Sequence, residues 1–215
     1  MNDIINIVLE AIQKAGLIQV EVSARHVHLS QPDLEKLFGL GAALTPKRKL
    51  SQPGQYLAEE RIAIIGPKGS KKNVAVLGPL RKDTQIEVSR TDCAELGVKA
   101  PVRESGDVGG SGAIALESAK GRIELRQGLI VAKTHIHLTP ESAGKLGLAD
   151  RQSVGVKLLT NRQLIFPDVL VRIGDFNDRM HIDFDEANAG GVTGFTMGQI
   201  IACKLHAGLQ NLKEG

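Results

Sequence analysis

The chain has 215 residues, enough for one domain or two small ones, with 42% hydrophobic residues to fill a core and 3% aromatic, so packing must be aliphatic. A formal charge of +3, from 27 basic and 24 acidic residues, suits an anionic small molecule and argues against a nucleic-acid partner. Two distant cysteines, Cys93 and Cys203, without a CxxC argue against a disulfide framework and point to a reducing, cytoplasmic setting; no apolar run spans a bilayer, and Met1-Asn2-Asp3 lacks the basic start of a secretory signal.

At the N-terminus, Ile4, Ile5, Val8, Leu9, Ala11, Ile12 and Ala15 form an apolar stripe at helical spacing. Asn2 or Asp3 can cap this helix and Gly16 can end it. Its apolar face either packs on its own domain or lies on a partner. Beyond it, 24 glycines and 8 prolines separate many short Val/Ile-rich runs, which favours a mainly β body with frequent turns.

The first such run holds Arg25-His26-Val27-His28-Leu29-Ser30. Strand alternation puts His26 and His28 on one face and Val27 and Leu29 on the other. Two imidazoles on one face can share a metal ion at about 2.0–2.1 Å. Ser30 then caps a short helix in which Pro32 falls early, where a missing N–H costs little. Downstream, Lys47-Arg48-Lys49 and the cluster from Lys68 to Lys72 read either as solvated surface or as contacts for an anionic cofactor. Ser105 precedes a glycine-rich stretch, Gly106 to Gly112, that is either a plain turn or a backbone lining for an anion.

The His pair then returns. Thr134-His135-Ile136-His137-Leu138-Thr139 repeats the earlier segment, and the match runs ungapped from His26–Leu37 to His135–Leu146, with Thr139 as cap and Pro140 early in the helix. A second correspondence pairs Gln85 to Ala94 with Arg179 to Asn188, a strand running into an acidic helix start, and aligns Glu87 with His181. The first copy carries an insertion, expected around Ser51-Gln52-Pro53-Gly54 and Gly66 to Lys72. Each repeat thus offers three ligands, His26, His28 and Glu87 in one and His135, His137 and His181 in the other. Three protein ligands leave an open coordination position, the mark of a catalytic rather than a structural zinc site. One carboxylate makes the pair unequal: a divalent ion keeps a charge of about +1 beside Glu87 and about +2 among three imidazoles. His206 follows the helix-like run Ile200 to Leu205 and reads as a C-terminal helix residue, not a ligand.

Val22 to Ser30, Gly78-Pro79-Leu80-Arg81, Glu87 to Asp92, Arg103-Glu104-Ser105-Gly106-Asp107 and His135 to Glu141 resemble, in this order, the PduL-type phosphate propanoyltransferases, the phosphotransacylases of propanediol degradation. That resemblance implies two small closed β-barrel domains with short helices. The N-terminal helix would span residues 1–16, residues 17–24 plus 133–215 would form the first barrel, and 25–132 the second. It implies transfer of a short-chain acyl group, propanoyl or acetyl, between coenzyme A and inorganic phosphate at a dinuclear zinc site. Two zinc ions would be held by His26, His28 and Glu87 and by His135, His137 and His181, with Arg81 on phosphate. Some members use an N-terminal amphipathic helix to enter a bacterial microcompartment, so residues 1–16 could meet shell or cargo proteins.

From the residues themselves, the Glu87 site suits a CoA thiolate, and the all-imidazole site a carbonyl or phosphate oxygen. Arg81 would orient phosphate through paired N–H···O bonds, and Ser105 is a weaker catalytic candidate. Two readings compete: a dizinc thioester or ester hydrolase using the same ligands, and a catalytically silent metal-binding microcompartment component. A small β-rich chain with an apolar helix also leaves homo-oligomerisation open.

Overall fold

The computed structural model describes residues 2–201. Cys203 and His206 lie outside them. The chain divides into two units: Ala24–Lys133 forms one, and the chain up to Ser23 joins the chain from Thr134 onward in the other. Both boundaries fall just before a His-x-His pair. No described helix is long and apolar enough to cross a membrane.

The unit Ala24–Lys133 holds β2 (His26–His28), α2 (Gln31–Phe38), β3 (Pro46–Lys49), β4 (Tyr56–Ile65), β5 (Ser70–Gly78), β6 (Gln85–Glu87), α3 (Arg90–Leu96), β7 (Val102–Arg103), β8 (Gly112–Glu117) and β9 (Arg122–Ala132). Six of its strands close a ring, β4-β5-β2-β6-β9-β8 and back to β4. Strands β3 and β7 extend it at β4 and β9. The other unit holds α1 (Asn2–Lys14), β1 (Leu17–Val22), β10 (His135–Leu138), α4 (Pro140–Leu146), β11 (Ser153–Leu158), β12 (Ile165–Ile173), β13 (Arg179–Ile182), α5 (Phe184–Gly190) and β14 (Thr196–Ile201). Its barrel closes as β1-β13-β10-β12-β11-β14.

The two rings match strand for strand. In each, the His pair strand runs parallel to one neighbour (β5 or β12) and antiparallel to the strand bearing the third candidate ligand, Glu87 or His181 (β6 or β13). That third-ligand strand pairs in parallel with β9 in one barrel and with β1 in the other. Since β1 runs into β2 and β9 into β10, each repeat surrenders its first strand to the other repeat's barrel. The inserted length of the first copy appears as β3 and as a longer β4–β5 hairpin, whose turn carries Gly66 to Gly69.

Aliphatic rows fill the interiors. Val76, Val27, Ile86 and Leu129 occupy one row of the first ring, and Val171, Ile136, Met180 and Val20 the matching row of the second. All are buried to 3% exposure or less. Alternation then sends the histidines to the outer faces. Ser30 and Thr139 cap α2 and α4 with proline in the first turn, and Ser89–Asp92 and Asp183–Glu186 form capping boxes on α3 and α5. Gly97 and Gly191 end α3 and α5 at positive φ, which glycine adopts without a Cβ penalty. One expectation fails: Ile200 and Ile201 belong to β14, not to a helix. Their side chains suit a strand because β-branched residues pack well on a pleated surface.

Candidate functional site

Ladder register brings the six proposed ligands into two groups, one in each unit. His26 faces Glu87 across β2 and β6, and His135 faces His181 across β10 and β13. The alignment of Glu87 with His181 is thus a fact of hydrogen bonding. Within each triad one ligand atom per residue lies within 4.8 Å of the others.

In the first triad, His26 Nδ1 lies 2.8 Å from the Ala24 carbonyl oxygen, the geometry of a donated hydrogen bond, which leaves Nε2 3.5 Å from Glu87 Oε2. His28 bonds the Leu77 backbone, while its buried Nδ1 has no partner. Burial, then the neighbouring charges of His26 and Arg81, depress the His28 pKa to about 2. Burial favours a neutral Glu87, but the charge and hydrogen bond of His26, with His28 and Arg81, hold its carboxyl well below the usual range. Burial likewise opposes a charge on His26, and Glu87 overcomes it and raises the imidazole.

A polar chain supports Glu87. Ser105 Oγ donates to Glu87 Oε1 at 3.0 Å and accepts from Arg81 at 3.0 Å and from Gln85 at 2.9 Å. Gln85 Nε2 also donates to Glu87 Oε1 at 2.6 Å, and its carbonyl accepts from Gly106 N at 2.6 Å. Arg81 and Ser105, both singled out from sequence, therefore sit at the first triad. Gln85 was missed. Its signal was its place two residues before Glu87, on the same strand face.

The second triad has no carboxylate. The His135 and His181 rings stack at 5.2 Å, and His137 lies 4.7 Å and 4.9 Å from them. Phe176 stacks on His137 at 4.1 Å. Both His137 nitrogens are buried without partners. Burial, then the charges of His135, His181 and Arg172, lower its pKa to about 2. Neutral imidazole is the metal-ligating form. Orphaned buried nitrogens on both triads fit a bound cation, since buried polar atoms otherwise find hydrogen bonds.

Beyond the ligands, the residue before each His pair is tied to a helix. Arg25 Nε reaches both carboxylate oxygens of the buried Asp92 at 2.9 Å, and Thr134 hydrogen-bonds Glu186. Asp92 and Glu186 are the capping-box acids of the helices that follow the third ligands. Each tie therefore joins the His pair strand to the third-ligand segment.

Residues 19–193 match the profile of the phosphate propanoyltransferase family. The chain is 50% identical over 202 residues to a phosphate propanoyltransferase of Clostridioides difficile strain 630, covering 94% of this chain and 97% of that one. It is 51% identical over 205 residues to one from Listeria monocytogenes, covering 93% and 96%. A third, from Thermotoga maritima, is 50% identical over 184 residues, covering 85% and 88%.

Proposed function

The chain belongs to the phosphate propanoyltransferase family and is an acyltransferase, and from that premise we propose that it interconverts a short-chain acyl-CoA and phosphate with an acyl phosphate and CoA, with one zinc ion in each triad. The observation that carries the zinc assignment is the pair of triads at equivalent ladder positions, each with buried imidazole nitrogens lacking partners. When bound, zinc supplies Lewis acidity for a thioester carbonyl and positive charge for a departing thiolate.

The residues then divide the work. The imidazoles and Arg81 hold the Glu87 carboxyl below its usual range, which suits a ligand and not a proton shuttle. Its carboxylate lowers the net charge of the first triad, which takes the CoA sulfur, a soft and already anionic ligand that suits zinc. The neutral second triad suits oxygen. Arg81 presents a guanidinium that can hold phosphate through paired hydrogen bonds, and Ser105 positions it against Glu87. Phosphate attacks the acyl carbon, the carbon–sulfur bond breaks, and CoA leaves as thiolate. No side chain needs to form an acyl-enzyme, because orientation and fixed charge supply the catalysis.

Zinc content per chain, with CoA release from acetyl-, propanoyl- and butanoyl-CoA in the presence and absence of phosphate, tests this reading. Two zinc ions and phosphate-dependent release, fastest with the shorter acyl groups, are expected. Equal release without phosphate would mark a hydrolase. Exchange of label between CoA and acyl-CoA without phosphate would expose an acyl-enzyme.

We assign α1 to docking on a microcompartment component, supported by its exposed Ile4, Ile5, Ile7 and Val8. Gln13 and Gly16 meet Ser142 and Ile200, so the separable part ends before them. Removal of residues 1–10 should leave turnover intact and abolish co-encapsulation.

A further inference from the structure

We propose that Arg172 is a second phosphoryl-binding guanidinium, in addition to Arg81, and that it serves the His135–His137–His181 triad. The inference rests on the acyl-phosphate chemistry proposed above and assigns a residue to it that neither the repeat nor the motifs single out.

His137 is paired in register with Arg172 on one side and Arg179 on the other. Paired residues in a ladder project to the same face, so both guanidinium stems flank the imidazole, with His135 and His181 in the adjacent row. The two arginines are not equivalent. Arg179 Nε lies 4.0 Å from Glu21, and its terminal nitrogen donates to the Asp178 carbonyl at 2.7 Å. No carboxylate among the described residues forms an ion pair with Arg172, which is half-buried. Arginine does not shed its proton, and three imidazoles offer it no negative charge. A half-buried, uncompensated cation with five donors in a planar fork is satisfied by a multiply charged tetrahedral oxyanion.

Comparison of the barrels sharpens the assignment. At the positions of Arg172 and Arg179 the other ring carries Leu77 and Gln85. Its own guanidinium, Arg81, comes instead from the loop between β5 and β6. In the loop between β12 and β13, Phe176 stacks on His137. Each triad has therefore acquired an arginine from a different place, which duplication alone does not produce.

The phosphoryl group has two sources, the transferred phosphate or a phosphate of CoA. Zinc-loaded wild type and Arg172→Gln are titrated calorimetrically with inorganic phosphate in one arm and CoA in the other, with zinc content measured alongside. Full zinc occupancy with an affinity loss of about tenfold or more is expected, from the value of charge-assisted hydrogen bonds. Loss in the phosphate arm assigns Arg172 to the transferred group, and loss in the CoA arm to a cofactor phosphate. Arg172→Lys should recover part of the loss, as a point charge without the paired fork. Unchanged affinity in both arms, or weakening that tracks lost zinc, overturns the proposal. Wild-type CoA release decides the transferase reading separately, since a hydrolase would still show Arg172-dependent anion binding.

Discussion

Gln85 ties Glu87 of the first triad to the loop at Ser105 and Gly106 through one amide, donating to Glu87 and Ser105 and accepting from Gly106. Gln85→Leu keeps the bulk and removes a donor from a buried carboxylate. Zinc affinity, measured by chelator competition, should fall about 10–100-fold, the range for loss of an outer partner of a metal ligand. Glu87→His makes the two triads chemically alike. Metal content should persist while phosphate-dependent turnover drops, and unchanged turnover would refute the assignment of sulfur to the Glu87 triad. The histidines were legible in sequence because alternation is a local rule. The same rule puts Gln85 on the face of Glu87, but its bracing role was not legible, since its partners Ser105 and Gly106 lie some 20 residues away along the chain and meet it only in the folded loop.

At the scale of elements, the two copies solve one problem with exchanged groups. In the first, Asp33 on α2 accepts from Thr84 at 2.8 Å, and Thr84 accepts from Ser30 N at 2.9 Å. In the second, Ser142 on α4 donates to Asp178 at 2.5 Å, and Asp178 accepts from Thr139 N at 2.9 Å. Carboxylate and hydroxyl have traded places between helix and strand approach. Asp33→Ser or Thr84→Asp alone should therefore each destabilise by about 1–3 kcal/mol, and the double substitution should recover most of the loss. Urea unfolding of the four proteins in a double-mutant cycle measures that coupling. Asp33 also carries a pH signature. Burial favours its neutral form, yet bonds from Thr84, Lys36 and Ser30 pull its pKa below the usual value. The unfolded chain then binds more protons, so the contribution is complete above the ordinary carboxylate pKa of about 3.9 and is lost as pH falls through the folded value. The stability gap between wild type and Asp33→Asn should close across that acid window; a gap constant with pH would show that the carboxylate charge contributes nothing.

At the scale of the molecule, the boundary of a repeat is not the boundary of a barrel. Residues 24–133 contain all six strands of one closed ring, including β9 from the start of the second repeat. This fragment should fold cooperatively, by circular dichroism and denaturant unfolding, and bind one equivalent of zinc. A fragment from residue 1 that stops before Arg122 lacks β9 and leaves the edges of β6 and β8 unpaired. It should aggregate, because open strand edges recruit other chains. Equal solubility of the two fragments would contradict the exchange of first strands. By itself the sequence determined the two His-x-His pairs, the repeat that aligns Glu87 with His181, the helix caps and the mainly β character. The pairs, the caps and the β character follow from period-two alternation and from i to i+3 capping, which act over a few residues, and the repeat follows from self-similarity along the chain. Only the tertiary structure decided which strand closes which barrel, that Gln85 braces Glu87, and that Arg172 flanks His137. Barrel closure is made of hydrogen bonds between distant strands, such as β1 with β13 and β14, and such pairing leaves no periodic trace in the chain.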